Sequence, residues 1–149
     1  MASVLVIYAS LTGSTEMMAE AMIDEIEENR HEVVKKSFDF DPIDAQDLIK
    51  FDGILIGSYT WDDDIPYEVN GFYDELDRVD LTGKFVAVFG SCDSTYDMYG
   101  PAIENMASKV QKQGAIVYDE KLKIELEPSV DDIAHCKKFA EGFLKKIIK

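Results

Sequence analysis

Three stretches of the chain are apolar without interruption: Val4-Leu5-Val6-Ile7-Tyr8, Gly53-Ile54-Leu55-Ile56-Gly57 and Phe85-Val86-Ala87-Val88-Phe89-Gly90. Runs this short, rich in β-branched residues and closed by turn residues, predict strands buried on both faces of a sheet. Two other stretches carry fewer apolar positions. His31-Glu32-Val33-Val34-Lys35-Lys36 reads as an edge strand, with His31 as an exposed turn residue, and 115–126 reads as a second edge in which Leu122, Ile124 and Leu126 alternate with Lys123 and Glu125.

Between the strands the period changes from two to about 3.6. Met17, Met18, Ala21, Met22 and Ile26 predict a first helix from about Glu16 to about Asn29, with Glu20, Asp24, Glu25, Glu27 and Glu28 on its wet side. Pro42 bars a strand in the connection from Phe38 to Lys50, which reads as loop with a short helical piece around Asp44 to Leu48. Val69, Phe72, Tyr73 and Leu76 mark a second helix, and a third runs from Pro101 to the stop at Gly114. Ser129 caps a terminal helix whose buried stripe is Ile133, Cys136, Phe139, Ala140, Phe143 and Ile147.

Strands alternating with helices imply an α/β three-layer sandwich. The expected sheet is parallel and five-stranded, in order 2-1-3-4-5, with helices on both faces. The whole of 1–149 is expected to form a single domain. In this strand order a ligand crevice opens beyond the carboxyl ends of the first, third and fourth strands, and three unusual loops fall there.

The first loop is Ser10-Leu11-Thr12-Gly13-Ser14-Thr15, at a strand-to-helix turn. The leading amides of a helix lack carbonyl partners and attract an anion, Gly13 permits close approach, and four hydroxyls add donors. The turn has no Lys or Arg, so it is neither the phosphate loop of nucleotide hydrolases nor the three-glycine dinucleotide turn. A phosphate there would be held by neutral donors, as suits a cofactor's terminal group that is never transferred. The same hydroxyls also suit an ordinary helix cap, so the turn alone leaves both readings open. The second loop, Ser58-Tyr59-Thr60-Trp61-Asp62-Asp63-Asp64-Ile65-Pro66, and the third, Ser91-Cys92-Asp93-Ser94-Thr95-Tyr96-Asp97-Met98-Tyr99-Gly100, each carry aromatics among acids and hydroxyls. Trp61 and Tyr96 could sandwich a flat ring system beside the phosphate turn.

In combination these loops resemble the flavodoxins of the short-chain type, and the resemblance covers the whole chain. Ser10 to Glu16 resembles the family's phosphate loop, Thr60-Trp61-Asp62-Asp63 the loop on the inner face of the flavin, and Asp93-Ser94-Thr95-Tyr96 the outer-face loop. The insertion that splits the last strand in long-chain members is missing between Ala115 and Leu126. The resemblance implies a flavodoxin-like fold and non-covalently bound FMN. It further implies one-electron transport between a reductase, such as a flavodoxin/ferredoxin-NADP reductase, and acceptor oxidoreductases. By matching positions, Ser10, Leu11, Thr12, Gly13, Ser14 and Thr15 hold the phosphate, Trp61 and Tyr96 flank the ring, and Thr60, Asp62, Asp93 and Gly100 contact its polar edge largely through backbone groups; Ser91 and Cys92 are expected among the cofactor-binding residues as well. Two positions depart from the pattern: Asp62 follows Trp61 where many relatives have Gly, and Cys92 precedes Asp93 where Gly is common.

Charge sharpens the expected function. With 30 acidic and 15 basic residues the net charge is -15, which argues against nucleic acid and anionic membranes and favours partners with a basic face. Asp62, Asp63, Asp64, Asp93 and Asp97 disfavour an anionic reduced flavin and so predict a low-potential donor. Cys92 and Cys136 have neither metal nor disulfide spacing and fit core thiols in a reducing cytoplasm. The apolar N-terminus lacks a basic segment before it and reads as a strand, not a signal peptide. No nucleophile–base pair or metal cluster is evident, so a monomeric carrier with no catalytic residues is expected. A small FMN-dependent reductase or the flavin activator of a ribonucleotide reductase is the alternative on the same fold. A response-regulator receiver is nearly excluded, because acids would be needed where the chain has Tyr8-Ala9-Ser10 and Gly57-Ser58.

Overall fold

The computed structural model describes residues 2–10, 13–59, 66–92 and 101–147. The strands are β1 (Ser3–Tyr8), β2 (Glu32–Ser37), β3 (Gly53–Gly57), β4 (Phe85–Cys92), β5 (Ile116–Val117) and β6 (Leu122–Glu125). The helices are α1 (Ser14–Glu28), α2 (Tyr67–Glu75), α3 (Pro101–Lys112) and α4 (Val130–Ile147), with tighter 3₁₀ turns at Ala45–Lys50 and Leu76–Arg78. The sheet is parallel in the order β2-β1-β3-β4-β5, and β6 also pairs with β4. This is the expected order.

Side-chain parity divides the core into two layers. Leu5, Ile7, Ile54, Ile56, Val86 and Val88 face α2 and α3, whereas Val4, Val6, Tyr8, Leu55, Ala87 and Phe89 face α1 and α4. On α1 the fully buried Met18, Met22 and Ile26 recur every fourth residue. Each such side chain contributes about 1.5–3 kcal/mol by leaving water. Met17, expected on that stripe, is 39 % exposed, and Ile23 takes the buried place. The helix begins at Ser14, two residues before the expected Glu16, because the Met17 amide already donates to the Gly13 carbonyl at 3.0 Å.

Three further differences concern the sheet edges. The fourth strand extends to Cys92, beyond the expected Gly90, because β6 pairs Gly90 with Lys123, Ser91 with Ile124 and Cys92 with Glu125. The fifth strand position is filled by two pieces. Tyr118 still donates its amide to Val86 O at 2.8 Å and sets its ring edge-on to Phe139 and Phe143, but the charged Asp119-Glu120-Lys121 then leaves the sheet before β6 rejoins β4. Leu126 does not extend the alternating pattern: it is 57 % exposed with φ 51°, although its amide reaches Cys92 O at 2.8 Å. At the other edge, His31 is half-buried, and its Nδ1 accepts the Ala2 amide at 2.9 Å.

Candidate cofactor-binding site

Two backbone bonds hold the carboxyl ends of the central strands level. The Ala9 amide donates to Gly57 O at 3.0 Å, and the Ser58 amide to Phe89 O at 3.1 Å. Such close strand ends require a residue without Cβ at Gly90, where an added methyl would lie 1.8 Å from the Ser58 carbonyl oxygen. Ser58, 2 % exposed, turns its hydroxyl onto the Tyr59 carbonyl at 2.7 Å.

From the end of β1 the chain enters α1 through Gly13, whose φ of 93° is the left-handed conformation that glycine adopts without strain. Gly13 has no side chain to cap the helix. Ser10 supplies the cap instead, its Oγ accepting the amides of Gly13 at 3.1 Å and Glu16 at 3.2 Å. Among the described residues, nothing lies within 4 Å of where a Gly13 Cβ would stand. Ser14 and Thr15 follow in the first turn, 7 % and 1 % exposed, and the Thr15 hydroxyl meets that of Ser91 at 2.9 Å.

Carboxylates flank this neutral turn. The Tyr8 hydroxyl donates to Glu16 Oε2 at 2.9 Å; burial, then that hydrogen bond and the Glu16 charge, push the phenol above its usual range, so it stays a donor. The Tyr59 hydroxyl donates to Glu68 Oε2 at 2.6 Å, and burial followed by the Glu68 bond raises it likewise. Partial desolvation and then the Glu68 charge lift the Asp39 carboxyl above its ordinary value, offset in part by a backbone hydrogen bond from Ser10.

Of the residues expected at the site, the structure brings Ser10, Gly13, Ser14, Thr15 and Ser91 to one end of the sheet. Cys92 is nearby, but its side chain is buried in the α2–α3 layer, where desolvation pushes its thiol up to about 12. It offers the site a backbone and no reactive sulfur. Cys136 is also a buried free thiol, raised to about 12 by burial. Leu11, Thr12, Thr60, Trp61, Asp62, Asp93, Tyr96 and Gly100 lie outside the described residues. Sequence reasoning missed the Tyr8–Glu16 bond and the Thr15–Ser91 pair. The second was accessible by parity: once β4 continues past Gly90, Ser91 shares the α1 face with Ala87 and Phe89. Among the described residues no group of three or more His, Cys, Asp or Glu side chains is placed to hold a metal, and no helix is long and apolar enough to cross a membrane.

The arrangement has known counterparts. The profile of the family described as Flavodoxin matches residues 6–139. A Bacillus subtilis (strain 168) protein described as "Probable flavodoxin 1" is 40% identical over 146 residues, which cover 97% of this chain and 91% of that protein. The crystal structure of oxidised Flavodoxin 1 from Bacillus cereus superposes with a TM-score of 0.93 at 42% identity, over 96% of this chain and 97% of that one. A short-chain flavodoxin associated with a non-canonical PDU bacterial microcompartment superposes with a TM-score of 0.91 at 35% identity, over 99% of each chain.

Proposed function

This chain belongs to the flavodoxin family of FMN-binding electron carriers, and on that premise we propose that it works as a low-potential, one-electron shuttle whose FMN phosphate is seated in the turn of residues 10–15. Flavodoxins are electron-transfer proteins, not enzymes, and act with redox partner proteins. The observation that carries the seating is the gathering of the Ser10, Ser14, Thr15 and Ser91 side chains about the start of α1, entered through the left-handed Gly13. Ser10 Oγ takes up the Gly13 and Glu16 amides and keeps its own proton to donate, so uncharged hydroxyl donors are what these side chains offer. A phosphate dianion only accepts hydrogen bonds, and such a set fits it.

When bound, FMN supplies the capacity to take up and release electrons singly. The chain's own residues do the remaining work. Ser10, Leu11, Thr12, Gly13, Ser14 and Thr15 would hold the phosphate, Trp61 and Tyr96 would cover the ring faces and exclude water, and Thr60, Asp62, Asp93 and Gly100 would orient its polar edge, with Cys92 contributing backbone only. The carboxylates of the second and third loops disfavour added negative charge and so lower the potential. The protein, a monomer of one domain over 1–149 acting in the cytoplasm, receives electrons from a basic-faced reductase such as a flavodoxin/ferredoxin-NADP reductase and passes them to acceptor oxidoreductases.

A spectroscopic reductive titration of the purified protein tests the reading. Yellow protein that takes up FMN at micromolar concentration and is reduced in two separate one-electron steps is expected. A colourless protein that takes up no FMN overturns it.

A further inference from the structure

Thr15 and Ser91 are 76 positions apart, yet their hydroxyl oxygens meet at 2.9 Å. The contact follows from elements already described. Pairing with β6 keeps β4 extended through Ser91 and Cys92, so alternation turns Ser91 toward α1 and Cys92 away from it. Thr15, in the first turn of α1, is 1 % exposed.

Each hydroxyl carries one proton, so only one of the two can donate across this contact. With no anion in the turn, either direction satisfies the pair. A phosphate dianion removes that choice because it can only accept. When Thr15 donates to a phosphate oxygen, Ser91 must donate to Thr15. The two O–H dipoles then align toward the anion, and a chain of this kind polarises its members. Ser91 also limits the rotamer of Thr15, because a hydroxyl bonded across to β4 is held in one staggered χ1 well. In a turn without Lys or Arg, the aim of each neutral donor matters.

We infer that Ser91 is a positioning residue for the cofactor's phosphate, acting through Thr15. This rests on the reading of residues 10–15 as the FMN phosphate site. It assigns Ser91, expected only to be cofactor-binding, to the phosphate end of the cofactor.

Riboflavin, which is FMN without the phosphate, separates the two roles. Apoprotein of the wild type and of Ser91→Ala is titrated with FMN and with riboflavin, following the quenching of flavin fluorescence. Ser91→Ala should weaken FMN about 3- to 10-fold, the size of one supporting hydrogen bond, and change riboflavin by less than about 2-fold. In a Thr15→Ala background the same substitution should cost FMN binding nothing further. Equal weakening of both flavins, no change in FMN affinity, or full additivity with Thr15→Ala would each overturn the assignment. Failure of the wild type to bind FMN would instead overturn the parent reading, and this one with it.

Discussion

Arg30 occupies a position where a glycine would be at ease. Its φ is 63°, and it follows the last turn of α1 in a Schellman arrangement: the Arg30 amide donates to Glu27 O at 2.9 Å and the His31 amide to Ile26 O at 3.3 Å. Those bonds satisfy carbonyls at the helix end, but the left-handed conformation costs a residue with Cβ about 1 kcal/mol. Arg30→Gly should therefore stabilise the protein by about 0.5–1 kcal/mol in urea unfolding. The measurement belongs in high salt, where loss of the cation from the end of α1 is screened. A lower midpoint there would show that the Arg30 side chain contributes more than its backbone strain costs. The helix end itself was legible from the break in apolar period near Asn29. The strained residue was not, because no glycine marks it. His31 was misread for a related reason: nothing in its neighbourhood in sequence shows that the Ala2 amide comes to its ring.

At the scale of elements, the central strands were plain because a strand buried on both faces must be apolar at every position. The edges were less so, since their pairing is written in backbone bonds and not in side-chain type. The break between β5 and β6 illustrates this. Alternation of Leu122 and Ile124 gave away β6, but only the pairing with β4 shows that Asp119-Glu120-Lys121 bulges out and that Ser91 is strand. The candidate site was legible in the same uneven way: its hydroxyls could be listed from the turn motif, whereas the Thr15–Ser91 partnership depends on where β4 ends. Two predictions belong here. Gly90→Ala places a methyl against the Ser58 carbonyl and the Ile103 side chain, and the backbone oxygen cannot swing aside as a side chain could. A loss of about 1–3 kcal/mol or more is expected, with weaker FMN binding as the ends of β3 and β4 part. An unchanged unfolding midpoint would contradict this packing. The second concerns Glu104 on α3, which bonds Lys123 of β6 at 2.5 Å and lies 3.7 Å from Lys121. Those ammonium groups, Lys123 first, hold its carboxyl below the usual carboxylate value. A depressed carboxyl stabilises the fold above its unfolded-state pKa, and that stabilisation is lost as pH falls through its lower folded value. Because Glu104 is half exposed, Glu104→Gln should cost only about 0.5 kcal/mol at pH 7. In a series of unfolding curves the difference from wild type should close in acid, and a difference that persists there would point to packing instead of charge.

For the molecule as a whole, the decisive property is a net charge of -15. Self-repulsion at that charge works against compaction, while the same field would speed the approach of a partner of opposite sign. The surface term is screened over about 8 Å at physiological ionic strength, so it acts on encounter more than on the docked complex. Reduction of this protein by a basic reductase should therefore slow steadily as salt is raised from low to high concentration. A rate indifferent to salt would mean that the acids serve solubility alone. On the proposed placement of the second loop beside the ring, Asp63 and Asp64 would join this long-range effect to the redox chemistry. A unit charge roughly 10 Å away at an effective dielectric of about 30 is worth about 1 kcal/mol. At ~59 mV per factor of ten, that corresponds to about 40 mV for a single electron. Asp63→Asn with Asp64→Asn should raise the lower of the two one-electron potentials by tens of millivolts and, at low salt, also slow reduction by the basic partner. The two readouts separate the causes. High salt should largely abolish the rate difference between variant and wild type, since association proceeds through water. It should leave more of the potential difference if, as proposed, the second loop lies against the ring, because a short-range charge interaction is screened less than an encounter through water. A potential that does not move in the double variant would show that the acids of the second loop act on partners only, and that the low potential has another origin.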